Sequence, residues 1–136
     1  MTIITADDEP LALEMLTDLV KSVKPEAEVV SFSRPQKIIE WLKDNKADVA
    51  FLDIRMRGMT GLEVAEKIKE VHPETNIIFV TGYDEYALPA MSLHASGYVM
   101  KPVSEEKIKK ELEQLRFPVN DANSTLLTAR CFGNFD

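Results

Sequence analysis

Five side chains with chemical potential follow short apolar runs in this chain. Asp7 and Asp8 follow the run at 2–6, Asp53 the run at 48–52, Thr81 the run at 76–80 and Lys101 the run at 96–100. The run into Asp53 is the sharpest: Val49-Ala50-Phe51-Leu52 carries no charge and then meets a carboxylate. A run of that kind reads as a strand buried on both faces. A carboxylate at its carboxyl end needs solvent or a cation. In parallel α/β sheets that edge is where ligands bind. If all five side chains meet there, three carboxylates and one ammonium leave a formal charge of two minus, which a divalent cation would neutralise. Oxygen-only ligands favour Mg²⁺ or a similar hard ion. A carboxylate beside such an ion can attack phosphorus. A hydroxyl and an ammonium, Thr81 and Lys101, would then hold phosphoryl oxygens.

Each residue taken singly has an ordinary reading. Asp7 or Asp8 alone is a helix cap, Asp53 and Thr81 turn residues, Lys101 a solvated lysine. Four of five runs ending in one mutually compatible set is the argument for function.

The intervening segments supply the scaffold. The run at 2–6 is a strand, and Pro10 suits the first turn of a helix with acids at its start. Ala12, Met15, Leu16, Leu19, Val20 and Val23 recur at helical spacing up to Pro25. A second strand is expected over 28–32. A helix follows, with Ser33 as cap, Pro35 in its first turn and Ile38, Ile39, Trp41 and Leu42 inward. Gly58 and Gly61 mark a loop and Thr60 caps a third helix, whose stripe is Leu62, Ala65, Ile68 and Val71. Residues 84–93 look helical but contain Pro89, which costs about 3 kcal/mol or more inside a helix. Ser104 caps a last helix with Ile108, Leu112 and Leu115 inward. Strand and helix alternate five times, which predicts parallel strands, right-handed crossovers and helices on both faces.

Composition narrows the classes. The 136 residues suit one domain with a short tail, and 45% are hydrophobic, enough for a core. The net charge of −7 argues against this fragment gripping nucleic acid by itself. A single cysteine, Cys131, excludes an internal disulfide and suits a reducing compartment. No run has the length of a membrane span and the N-terminus lacks a signal-peptide pattern, so a cytoplasmic protein without membrane contact is expected. His72 and His94 have no partners at metal spacing, so no zinc site is expected.

The motifs in order resemble the receiver domain of two-component response regulators. They are Asp7-Asp8, Asp53-Ile54-Arg55-Met56-Arg57-Gly58-Met59-Thr60-Gly61-Leu62, Thr81-Gly82-Tyr83 and Tyr98-Val99-Met100-Lys101-Pro102. The resemblance implies a flavodoxin-like, doubly wound α/β fold with a five-stranded parallel sheet in the order 2-1-3-4-5. It implies that Asp53 accepts phosphate from a sensor histidine kinase. It implies that Asp8, Asp53 and the Arg55 backbone carbonyl hold Mg²⁺, with Asp7 acting through a metal-bound water. Thr81 and Lys101 would contact the phosphoryl group, Tyr98 would be the switch aromatic, and the Lys101-Pro102 bond would be cis. The implied output face, which could serve a homodimer, is the helix over 84–93, the fifth strand and the last helix. Pro89 puts that helix's geometry in question, and Arg55 and Tyr83 flank the pocket at positions that tune phosphate lifetime in such proteins.

The receiver is expected over 1–117, with 118–136 a linker and a first strand of a truncated DNA-binding domain. Residues 127–136 resemble the opening strand of winged-helix domains in bacterial transcriptional activators, so DNA is the expected partner of the full-length protein. Three other readings compete. An Asp-nucleophile phosphatase of similar fold typically carries an acid two residues after the nucleophile, where this chain has Arg55. A nucleotide-binding domain would need a Gly-rich phosphate loop, which the five glycines do not form. A constitutive interaction module would not need the five polar residues together.

Overall fold

The computed structural model describes residues 1–82 and 94–119. Its elements are β1 (Thr2–Ala6), α1 (Pro10–Val23), β2 (Glu28–Phe32), α2 (Pro35–Trp41), β3 (Val49–Leu52), α3 (Gly61–Val71), β4 (Asn76–Thr81), β5 (Gly97–Met100) and α4 (Glu105–Glu113). The five strands form one sheet in the order β2-β1-β3-β4-β5, and every pairing is parallel. The doubly wound architecture expected from the alternation is therefore present. The helix expected over 84–93, with Pro89 and Tyr83, and the tail strand with Cys131 lie outside the described residues.

Alternation along the strands divides the core into two layers, because successive side chains point to opposite faces. Ile4, Ala6, Ala50, Leu52, Ile77 and Phe79 pack with Ile38, Val64, Ala65 and Ile68 under α2 and α3. Ile3, Val49, Phe51, Ile78 and Val80 pack with Leu16, Val20, Ile108 and Leu112 under α1 and α4. The β3 strand is buried at every position, which explains its uninterrupted apolar run. Burying Phe51 or Phe79 fully contributes about 1.5–3 kcal/mol each.

The helices differ from the sequence reading in detail. Thr60 caps α3 as expected, in a reciprocal capping box with Glu63. Ser104 caps α4 through the Lys107 backbone N–H. Ser33 does not cap α2: Pro35 opens that helix, so the cap position falls on Arg34, which makes no side-chain cap bond. The acids before α1 also lie outside its first turn, since Glu9 holds the cap position. The buried face of α1 is Leu16, Thr17 and Val20, leaving Met15 56% exposed. The Thr17 hydroxyl is drawn inward by the Thr5 hydroxyl of β1, 2.8 Å away. On α3 the buried stripe is Gly61, Val64, Ala65 and Ile68, and Val71 is exposed. That rotation follows from Gly61, which must abut the backbone next to Asp53.

Candidate phosphoryl-acceptor site

The strand ends bring Asp7, Asp8, Asp53, Thr81 and Lys101 to one pocket of about 510 Å³, whose lining also includes Glu9, Arg55 and Gly82. All five residues singled out by type and spacing are therefore together. Sheet register explains why. The Asp53 N–H donates to the Ala6 carbonyl at 2.9 Å, placing Asp53 level with Asp7. The Lys101 N–H donates to the Thr81 carbonyl at 2.8 Å, fixing those two residues side by side.

Two further elements lock this edge. Gly61 opens α3 directly against the Asp53 turn: its N–H donates to the Ile54 carbonyl at 2.8 Å. A Cβ on Gly61 would come within 2.9 Å of Ile54 Cα and press into the Asp53 carbonyl. On the other side, Lys107 of α4 donates to the carbonyls of Met100 (3.1 Å) and Pro102 (2.9 Å), holding the backbone on both sides of Lys101. The Lys101-Pro102 bond is cis, as the resemblance implies.

Within the pocket, Lys101 Nζ donates to Asp7 Oδ2 at 3.0 Å and to Asp53 Oδ2 at 3.4 Å. Asp7 is almost wholly buried, and its other oxygen, Oδ1, accepts the Glu9 N–H at 2.9 Å. Asp53 is 7% exposed. Burial first, and the Asp7 charge second, push its carboxyl up to about 6, although Lys101 pulls the other way. Lys101 itself is opposed by burial, yet its hydrogen bond to Asp7 and the two carboxylate charges hold its ammonium above the usual lysine range. Thr81 is fully buried, and its Oγ1 has no hydrogen-bond partner among the described residues. A buried hydroxyl left unpaired costs free energy, so its place at the pocket wall points to an absent acceptor.

The acids are arranged for a cation. One carboxylate oxygen from each of Asp7, Asp8 and Asp53 lies within 4.8 Å of the others. An all-oxygen donor set with excess negative charge fits a hard divalent ion. Asp8 carries a contact that sequence reasoning missed: its Oδ2 accepts the Arg57 backbone N–H at 2.9 Å and the Arg57 Nε–H at 3.3 Å. Neither residue is near the other in sequence, and nothing local signals the pair. Arg55 lines the pocket. Tyr98 does not line it; it is half-buried against the layer under α2 and α3, opposite Phe79 in the sheet.

A doubly wound sheet with this acidic, lysine-bridged edge defines a class of phosphorylation-responsive α/β domains. Comparison with known proteins makes the assignment specific: residues 3–113 match the family model of the response regulator receiver domain, and the chain belongs to that family. It is 36% identical to the sensory transduction protein LytT of Enterococcus faecalis over 114 residues, covering 84% of this chain and 47% of that protein. It is 30% identical to the transcriptional regulatory protein LytR of Staphylococcus aureus over 138 residues, covering all of this chain and 56% of that protein. The chain thus spans about half the length of the curated relatives it matches. Among solved structures, it resembles the response regulatory domain of mrkE from Klebsiella pneumoniae, at 33% identity and a TM-score of 0.77 over 85% of this chain and 94% of that one. It also resembles the response regulator TrrA of Thermotoga maritima in complex with Mg²⁺ and a beryllium fluoride, at 28% identity and a TM-score of 0.73 over 82% of this chain and 96% of that one.

Proposed function

We propose that this receiver domain is a switch phosphorylated on Asp53 by a sensor histidine kinase, with Mg²⁺ bound at the acidic cluster. The observation that carries the reading is the buried Thr81 hydroxyl, without a partner among the described residues, lining one pocket with Asp53 and Lys101. An Asp53 carboxylate oxygen attacks the phosphorus of a phosphohistidine whose other ring nitrogen is protonated; the P–N bond breaks, a P–O bond forms, and the bond's electron pair leaves with the histidine as a neutral imidazole. Lys101 and Thr81 donate to the phosphoryl oxygens. Asp8, Asp53 and the Arg55 carbonyl are the residues that would hold the ion, with Asp7 acting through water; bound Mg²⁺ supplies neutralisation of the charge that builds on the phosphoryl oxygens. Lys107 and Gly61 keep Lys101 and Asp53 in place during the transfer.

Phosphorylation adds roughly −1.5 to −2 charge and three acceptor oxygens. Thr81, drawn to the new acceptor, vacates space beside the sheet for Tyr98 to turn inward. The output surface, which includes β5 and α4, is altered as a shift between two states. That surface is the expected place for a homodimer. Its likeness to the transcriptional regulatory protein LytR supports transcriptional control through a DNA-binding region that follows residue 117, and the proposed kinase partner would go with a cytoplasmic location. We read the domain as a phosphoacceptor rather than an enzyme acting on external phosphoesters, because the position that would carry a general acid is Arg55.

Incubation with Mg²⁺ and a small acyl phosphate tests this. Intact-mass spectrometry should find one added phosphoryl group on the wild type and none on Asp53→Asn. Equal labelling of the two would remove Asp53 from the role.

A further inference from the structure

Each acid of the cluster already has a cation. Lys101 serves Asp7 and Asp53, and Arg57 serves Asp8. The two donors that Arg57 offers are of different kinds. Its backbone N–H is part of the loop after β3 and holds Asp8 Oδ2 in position whatever the side chain does. Its guanidinium reaches the same oxygen at 3.3 Å, but the Arg57 side chain is 91% exposed against 21% for Asp8. The guanidinium is therefore a solvent-facing positive charge outside the pocket lining, attached by one exposed contact to the least buried of the three acids.

We propose that the Arg57 side chain is a displaceable counter-ion for Asp8 that lowers the Mg²⁺ affinity of the pocket. This rests on the Mg²⁺ reading above. In the metal-free protein the guanidinium offsets one carboxylate charge and limits the mutual repulsion of the cluster. A dication entering the site must share Asp8 with a cation already there, or move it into solvent. Moving it is easy, since an exposed ion pair contributes little to stability. The backbone N–H then keeps Asp8 facing the cluster. The effect on affinity is of the same modest size as an exposed pair: removal of the guanidinium should tighten Mg²⁺ binding by about two- to fivefold. It should be screened by salt, because the pair is open to solvent.

The test is calorimetric titration of the full 136-residue chain with MgCl₂ at low and high ionic strength, on the wild type, Arg57→Ala and Arg57→Lys. Arg57→Ala should bind two- to fivefold more tightly than wild type at low salt, with the gap narrowing at high salt. Arg57→Lys, which keeps the charge, should stay near wild type. Equal or weaker binding by Arg57→Ala overturns the proposal, since a purely structural clasp on Asp8 would lose affinity when cut. If the wild type takes up no Mg²⁺ at all, the metal reading itself fails and this inference falls with it. Wild-type binding without tightening in Arg57→Ala defeats the counter-ion role alone. Thermal unfolding of the metal-free variants checks that the exposed substitution leaves the fold intact.

Discussion

Lys101 sits closer to Asp7, at 3.0 Å, than to Asp53, at 3.4 Å. The buried Asp7, not the expected acceptor, is thus the better-neutralised acid of the pair. Asp53 is left under-compensated in a buried site, and its carboxyl stays up near 6. The arrangement keeps the lysine in the pocket without fully neutralising the carboxylate proposed to accept the phosphoryl group.

A pH dependence with a definite sign follows from that value. Asp53 holds its proton more tightly in the folded chain than in the unfolded one, where about 3.8 is the ordinary value. The contribution of this group to stability is therefore fully present below about pH 4 and is lost as pH rises through about 6. Asp53→Asn mimics the neutral form. Without Mg²⁺, its melting temperature should match that of wild type near pH 4 and exceed it progressively up to about pH 6. Above that the gap should be constant, and Mg²⁺ should close it by stabilising only the wild type. A gap that stayed flat across the range would mean Asp53 titrates normally.

Thr81→Val separates folding from switching. The hydroxyl is buried and unpaired, so an isosteric methyl removes an unmet polar group, and the melting temperature should hold or rise. Hydrogen bonds to charged groups are worth roughly 1.5–3 kcal/mol. The variant should therefore bind beryllofluoride, a phosphoryl mimic, about ten- to a hundredfold more weakly in Mg²⁺. Wild-type affinity would show that Thr81 does not meet the phosphoryl group.

Gly61→Ala should damage both fold and site. The added methyl has no room against the Asp53 carbonyl and Ile54 Cα, and the neighbours are backbone that cannot swing aside. Overpacking of this kind costs about 1–3 kcal/mol, measurable by urea unfolding. Because the displaced backbone carries Asp53, acyl-phosphate labelling should slow as well. Normal labelling at reduced stability would show that the loop relaxes without moving the carboxylate.

The chemistry was legible in the sequence because it depends on residue type and on strand ends. Apolar runs ending in Asp7-Asp8, Asp53, Thr81 and Lys101 already imply a shared edge, since parallel strands must place their carboxyl ends together. The motif resemblance supplied the strand order, and register then set Asp53 level with Asp7 and Lys101 against the Thr81 carbonyl. Helix faces were legible only to within about one residue. The inward pull of Thr17 and the close approach of Gly61 rotate α1 and α3 away from the stripes that hydrophobicity alone suggests.

Long-range polar contacts belong to the tertiary structure. Asn76 reads as an ordinary residue at the start of an uncharged run. In the fold its buried side chain accepts from the Phe117 N–H at 2.7 Å and donates to the Phe117 carbonyl at 2.8 Å, pinning the chain just after α4 to the start of β4. Arg57 and Asp8, 49 positions apart, meet for a similar reason. Periodicity reports which side of an element is apolar; it carries no information on which loop lies opposite. By itself, the sequence determined the strand-helix alternation and the residues whose chemistry converges. Only the tertiary structure decided how Lys101 divides its charge between Asp7 and Asp53, that Thr81 is buried without a partner, and that Arg57 shares Asp8. Each of these depends on distances of a few tenths of an ångström between side chains brought together from separate loops.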